Sequence, residues 1–274
     1  MPAKKTVYLN GAFVAIDRAA SPVADPAFLS GPGLFETMRS RRNKIICLDE
    51  HLRRIKISAP SAGLKFNYAA DKIKSAIRKT VRLNKLQDAY VRLTIWRSRR
   101  GAGVLVAAQR YAPYPLKKYK EGFSACVSSL KQNDPSAARI KCVNRLFYEM
   151  ALKEAHGKGC DEAVILNAKG QLTEASRSNI FLVKGGQIFT PLLECGCLDG
   201  ITRRAVLGLA KKNKIKASEA ALNPQDIYFA DEAFLTNSLI GIMPLTSLNG
   251  RALGKGRGRI TALLSREYSA LLKK

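Results

Sequence analysis

Residues 89–96 alternate without a break. Ala89, Val91, Leu93 and Ile95 are apolar, and Tyr90, Arg92, Thr94 and Trp96 fall between them. A period of two places successive side chains on opposite faces of a β-strand, and no helix gathers the first four onto one stripe. The segment predicts a strand with one buried face, with residues 104–108 placed to pair with it. Two more strand pairs flank turn signals. Residues 7–10 and 13–15 enclose Asn10-Gly11, a dipeptide suited to a tight hairpin turn. Residues 35–40 and 44–48 enclose Arg41-Arg42-Asn43. Between these lie two stretches of helical spacing. Asp49 or Glu50 can start a helix reaching Ser58, with Leu52, Ile55 and Ala59 on one face. Residues 69–83 predict another, with Ile73, Ala76, Ile77 and Thr80 facing inward.

The pattern breaks at 111–120, where Pro113 and Pro115 stand among lysines and tyrosines. This predicts a small N-terminal α/β domain at 1–112, a linker at 113–121, and a larger C-terminal domain at 122–274. The second domain reads as mostly β. Strands are expected at 123–128, 162–167, 180–183, 187–189 and 233–236, and helices at 144–156, 202–212 and 259–272. The class is α+β, and a cleft between two domains is the default location for a site.

At 274 residues with 46% apolar content, the chain can bury ordinary cores. It has no run of about 18 apolar residues, so no membrane span is expected. The first residues carry charge without an apolar stretch behind them, which reads as no secretory signal and a cytoplasmic location. The six cysteines are scattered, Cys195-Gly196-Cys197 lacks metal or redox spacing, and only two histidines could assist. No metal site is expected, and the thiols read as free. The net charge of +26 is high enough to suggest nucleic acid. Its cations are dispersed in pairs such as Arg99-Arg100 and Lys211-Lys212, with one denser stretch at 250–259. We read a solvated basic surface, with no specific nucleic-acid partner.

Four motifs carry the chemistry, in this order. They are Ile140-Lys141-Cys142-Val143-Asn144-Arg145-Leu146, then Leu172-Thr173-Glu174-Ala175-Ser176-Arg177-Ser178-Asn179, then Leu198-Asp199-Gly200-Ile201-Thr202-Arg203, then Phe234-Leu235-Thr236-Asn237-Ser238-Leu239. Alone, each is commonplace: a surface lysine, a turn glutamate, two loops. Together they are the parts that a pyridoxal 5'-phosphate (PLP) site needs. An amine forms a Schiff base with the aldehyde and then moves protons at the substrate. A carboxylate holds the pyridine nitrogen protonated. Turns and a helix start offer N–H groups to phosphate.

The chain resembles the class IV aminotransferases, the fold type IV PLP enzymes, over residues 8–253. The N-terminal half contributes Gly31-Pro32-Gly33-Leu34-Phe35-Glu36-Thr37, similar to the family's G-D-G-x-F-E-T. It also has Leu48-Asp49-Glu50-His51-Leu52-Arg53-Arg54-Ile55 followed by Ser58-Ala59, similar to its L-x-x-H-L-x-R-L-x-x-S-A. Pro32 replaces an acidic residue, and Pro26 stands where arginine is common. The resemblance implies a two-domain fold with the cofactor cleft between the domains, and a homodimer. It implies that Lys141 bears the cofactor and that Glu174 partners the ring nitrogen, with Asn179 supporting the backbone. Ile201, Thr202, Thr236, Asn237 and Arg54 are implied to hold the phosphate.

Within the family the expectation is a lyase. Leu146 occupies the position five residues after the lysine, where branched-chain enzymes usually carry tyrosine, and Thr236-Asn237-Ser238-Leu239 replaces their T-G-T-A. The segment Arg97-Ser98-Arg99-Arg100-Gly101 lacks the histidine of the D-amino acid enzymes. These features look most like aminodeoxychorismate lyase, which makes 4-aminobenzoate and pyruvate for folate synthesis. Arg92 and Arg97 are candidates for binding an anionic substrate's carboxylates, plain exposed strand arginines being the alternative. The competing readings are a branched-chain or D-amino acid transaminase using 2-oxoglutarate and, further off, a basic polyanion-binding protein on a retired enzyme scaffold.

Overall fold

Alternation at 89–96 becomes the first eight residues of a ten-residue strand. The structure is a computed structural model that describes residues 5–20, 25, 31, 33–99, 101–254 and 258–272. Pro26, Pro32 and Arg100, and part of the basic 250–259 stretch, lie outside the described residues. The chain divides into two compact units, Met1–Ala112 with Ile140–Asn144, and Pro113–Arg139 with Arg145–Lys274.

In the first unit β1 (Thr6–Leu9) and β2 (Ala12–Ala15) form the expected hairpin. Its Asn10 and Gly11 take φ of 47° and 106°, the left-handed geometry that asparagine and glycine tolerate best. β3 (Gly33–Arg41) and β4 (Lys44–Ile45) follow, then α1 (Leu48–Ser58), α2 (Ala70–Leu83), β5 (Ala89–Ser98) and β6 (Gly101–Arg110). The strands make one antiparallel sheet in the order β2-β1-β6-β5-β3-β4. The strand expected at 44–48 is cut short. Cys47 adopts the left-handed conformation at the helix start, and Leu48 is already helical. Ala89, Val91, Leu93 and Ile95 are buried and meet Ile55 of α1 with Ile73 and Ile77 of α2 in one core. Each of the buried Val, Leu and Ile side chains stabilises the fold by about 1.5–3 kcal/mol.

The second unit begins with α3 (Leu116–Glu121), where the sequence reads as linker. Pro115 at the N-cap and Gly122 at φ 78° bracket this single short helix. β7 (Phe123–Gln132), α4 (Pro135–Ala138), α5 (Leu146–Gly157), β8 (Glu162–Asn167), β9 (Leu172–Ala175), β10 (Asn179–Lys184) and β11 (Gln187–Pro191) come next. They are followed by α6 (Ile201–Lys212), β12 (Ala217–Ala220), α7 (Pro224–Tyr228), β13 (Glu232–Asn237), β14 (Gly241–Leu248), β15 (Arg251–Ala252) and α8 (Arg259–Leu271). The sheet runs β12-β11-β10-β13-β14-β7-β8-β9, with β15 paired to β14. Its end strand β9 packs back on β10 and β11, so the sheet curls.

Sequence patterning misses β9, β12, β14 and the two-residue β15. All four residues of β9 are buried, so no face alternates. β14 contains Pro244, which ordinarily argues against a strand. β7 and β8 are parallel, and a parallel pair needs a long crossover. That crossover contains α5, packed on both strands, and also residues 140–144. The sequence places 140–144 in the second domain, but they belong with the first unit. Leu34 bridges Cys142, Val143 N–H donates to Gly33 C=O at 2.9 Å, and Phe35 N–H donates to Lys141 C=O at 3.0 Å. Backbone hydrogen bonding at the end of β3, invisible to local pattern, decides where Lys141 sits.

Candidate active site

In the first unit Lys141 is half-buried beside β3. Its Nζ lies 4.7 Å from the centroid of the Phe35 ring. Arg92 of β5 contacts the same ring, with Cζ at 3.8 Å. Strand pairing explains this meeting, because Thr37 and Arg92 are register partners and Phe35 pairs with Thr94. Lys141 and Arg92, predicted for different tasks, are thus brought onto one aromatic ring. Arg97 is not part of that group. It is exposed near the end of β5, its Nη2 donating to Gly63 C=O at 3.4 Å.

Arg54 projects from α1 into a buried cluster. Its Nε and Nη2 donate to the two Glu36 carboxylate oxygens at 2.8 and 2.6 Å, and His51 Nδ1 lies 2.6 Å from Glu36 Oε2. The spacing of His51 and Arg54, three residues apart on one helix, turns both toward the same strand residue. Burial pushes the Glu36 carboxyl up, but the Arg54 charge and the hydrogen bonds from His51 and Arg54 outweigh it, and the carboxyl settles at about 2. Burial holds the His51 ring below its ordinary value, despite Glu36 pulling the other way. In the sequence Glu36 and His51 stand out only as letters of the two N-terminal motifs. Their apolar neighbours in two separate elements were the signal that they face a core.

In the second unit Glu174 sits on β9, 6% exposed. Tyr148 OH donates to its Oε1 at 3.0 Å, and Leu198 N–H to its Oε2 at 3.1 Å. Asn179 Nδ2 lies 3.5 Å from Oε2 and donates to Leu198 C=O at 2.7 Å. Asn179 is also the β10 register partner of Thr236 on β13. One asparagine therefore ties the glutamate, the 198–200 turn and the Thr236 strand together.

Gly200 is the N-cap of helix α6, and among the described residues no side chain caps that N-terminus. Its ladder begins with Arg204 N–H on Gly200 C=O, which leaves the first-turn N–H groups, those of Ile201 and Thr202 included, without partners inside the helix. A Cβ at Gly200 would collide with Asn179 Oδ1, so a larger residue there would displace the Asn179 amide. Thr236 is buried, and among the described residues its Oγ1 has no hydrogen-bond partner. A bare helix N-terminus and an orphaned buried hydroxyl fit a phosphate group. Thr202 Oγ1 lies 3.3 Å from the Tyr268 hydroxyl, so its backbone rather than its hydroxyl is the group on offer. The Asn237 side chain is taken up by its own turn. Its amide donates to Arg177 C=O and Ser178 Oγ, and its oxygen accepts from Leu239 and Ile240 N–H.

Sequence reasoning missed Tyr148 and Arg145. It looked to the fifth residue after Lys141, and Leu146 is there, 67% exposed. The tyrosine that reaches Glu174 is two residues further on, one on from Phe147 in the first turn of α5.

Comparisons with known proteins agree along the whole chain. Residues 33–248 match the family model for amino-transferase class IV. A branched-chain-amino-acid aminotransferase of Pseudomonas aeruginosa is 30% identical, covering 97% of this chain and 92% of that protein. A D-alanine aminotransferase of Listeria innocua is 32% identical, covering 94% and 93%. The crystal structure of a branched-chain aminotransferase from Thermoproteus uzoniensis with norvaline superposes with a TM-score of 0.91 at 32% identity, covering 99% of this chain and 96% of that one. These relatives are named as aminotransferases. They give the lyase expectation no support and favour the transaminase alternative.

Proposed function

The chain belongs to the class IV aminotransferases, PLP-dependent enzymes, and from that premise we propose that it is an amino acid transaminase using 2-oxoglutarate as acceptor. The observation that carries this reading is the pair of relatives, one acting on branched-chain amino acids and one on D-alanine by name, that align with more than nine tenths of both chains. Bound PLP supplies an electron sink that stabilises negative charge at the substrate Cα.

The residues divide the remaining work. Lys141 would anchor the cofactor, and its amine would carry the proton at the substrate Cα. Glu174 would accept the N–H of the pyridine ring and keep that nitrogen protonated. The N–H groups of Ile201, Thr202 and Asn237 and the Thr236 hydroxyl hold the phosphate, where donors at a helix start suit an anion. Arg54 is assigned to the phosphate as well, although its fork is already committed to Glu36. Arg92 and Arg97 bind substrate carboxylates. Arg92 is the stronger of the two, because it is half-buried and shares the Phe35 ring with Lys141. The homodimer of the resemblance remains part of this proposal. Among the described residues no helix is long and apolar enough to cross a membrane.

The test is a half-reaction. Adding L-leucine or D-alanine to the loaded enzyme is expected to convert the cofactor to its amine form, and 2-oxoglutarate to restore it. Release of pyruvate and 4-aminobenzoate from aminodeoxychorismate with no keto acid present, and no conversion by any amino acid, would return the reading to the lyase.

A further inference from the structure

Tyr148 is clamped from several directions, all within the second unit. The Arg145 guanidinium lies over its ring, Cζ 4.0 Å from the centroid, and Arg145 Nη2 donates to Ser176 C=O at 2.5 Å. Phe147 meets the ring edge-on at 5.2 Å and 86°. The one polar end of this held ring donates to Glu174 Oε1. Burial, then the Glu174 charge, push the hydroxyl's pKa well above the ordinary tyrosine value, so it stays a donor at every working pH. A cation on the ring face withdraws electron density from the phenol and strengthens that donor.

We propose that Tyr148 is a positioning residue for Glu174, setting both the direction of its carboxylate and its affinity for the proton shared with the cofactor's ring nitrogen. The inference rests on the reading of Glu174 as partner of that nitrogen. A donated hydrogen bond stabilises the ionised carboxylate and lowers its basicity. The shared proton then stays on the nitrogen, where it makes the ring a better electron sink. Leu198 N–H and Asn179 serve the other oxygen, Oε2. Without Tyr148 the carboxylate loses its held Oε1 and becomes more basic.

The experiment loads the enzyme with PLP labelled with nitrogen-15 in the ring and reads the ring-nitrogen chemical shift. Native protein is expected nearer the protonated than the neutral position, and Glu174→Gln at the neutral-pyridine position. Tyr148→Phe is expected to move the signal part of the way toward neutral pyridine and to lower kcat about tenfold, the cost of one hydrogen bond, with KM within about twofold. Replacing Tyr148 by 3-fluorotyrosine, a stronger donor, is expected to move the signal the opposite way. A Glu174→Gln signal at the native position would overturn the reading of Glu174 itself. A signal that moves in Glu174→Gln but stays in place in Tyr148→Phe would overturn the role of Tyr148 alone. If Tyr148→Phe does not fold, the fluorotyrosine protein decides, and an unmoved signal there overturns the proposal.

Discussion

Glu36 in the first unit and Glu174 in the second are both buried carboxylates, at 1% and 6% exposure, and they are held by opposite means. Glu36 lies in the fork of a guanidinium, with an imidazole beside it. Glu174 accepts from a phenol, an amide and a backbone N–H. A full positive charge cancels a carboxylate and fastens two elements together, whereas neutral donors lower its basicity and leave its charge in place. The first arrangement suits a structural tie between α1 and β3. The second suits a group that must meet a cation supplied from outside the chain. Glu162 on β8 completes the comparison. It is buried too, its oxygen meets the Ser176 hydroxyl, and burial raises its pKa because the hydroxyl and neighbouring N–H groups offset only part of the desolvation.

The largest expected effect falls on Lys141. Lys141→Ala is expected to lose at least about 10³-fold in kcat. Borohydride reduction and peptide mapping of the native protein are expected to find the pyridoxyl group on Lys141. Label on another lysine would reassign the site.

The two glutamates are then expected to separate by kind of damage. Glu174→Gln should retain cofactor and unfold normally while kcat drops about 10²–10³-fold, since the amide cannot stabilise a protonated ring nitrogen. Glu36→Gln should instead lower unfolding free energy by about 3–5 kcal/mol, the usual result of leaving a buried arginine without its anion. Denaturant titrations beside turnover numbers would show it, and equal stability losses in both variants would erase the distinction.

Acid separates Glu36 from Glu162. The folded Glu36 carboxyl lies at about 2, below its ordinary 4.5, so its contribution is complete above pH 4.5 and disappears as pH falls toward 2. The loss is on the order of 3 kcal/mol. Glu162 has the reverse sign. Its raised pKa means that ionisation costs stability as pH rises through the folded value. Glu162→Gln is therefore expected to stabilise the protein by about 1 kcal/mol or less at pH 8 and to do nothing at acid pH. Unfolding midpoints at several pH values would check both, and a Glu162→Gln gain confined to acid pH would refute the second.

The smallest effect concerns the net charge of +26. The dispersed cations are expected to capture anionic substrate, so kcat/KM should fall with ionic strength more than kcat does. Weak, sequence-indifferent DNA binding that fades steeply with salt is expected from counterion release. Selective submicromolar binding at physiological salt would contradict this.

What the sequence determined by itself was local. Strict alternation placed β5 and its inner face, Asn10-Gly11 placed the first hairpin, and periodicity placed α2 with Ile73, Ala76, Ile77 and Thr80 buried. Motif order identified the family. A strand buried on both faces has no period to read, so β9, which carries Glu174, looked like a turn. Only the tertiary structure decided the company each group keeps. A crossover between parallel β7 and β8 places Lys141 beside β3, and one strand residue with two residues of a separate helix makes the Glu36 cluster. It also places Tyr148 against Glu174, a contact that no spacing in the sequence announces. The physical reason is that patterning reports which face of an element meets water, whereas hydrogen bonds between distant elements depend on where the whole chain has brought them.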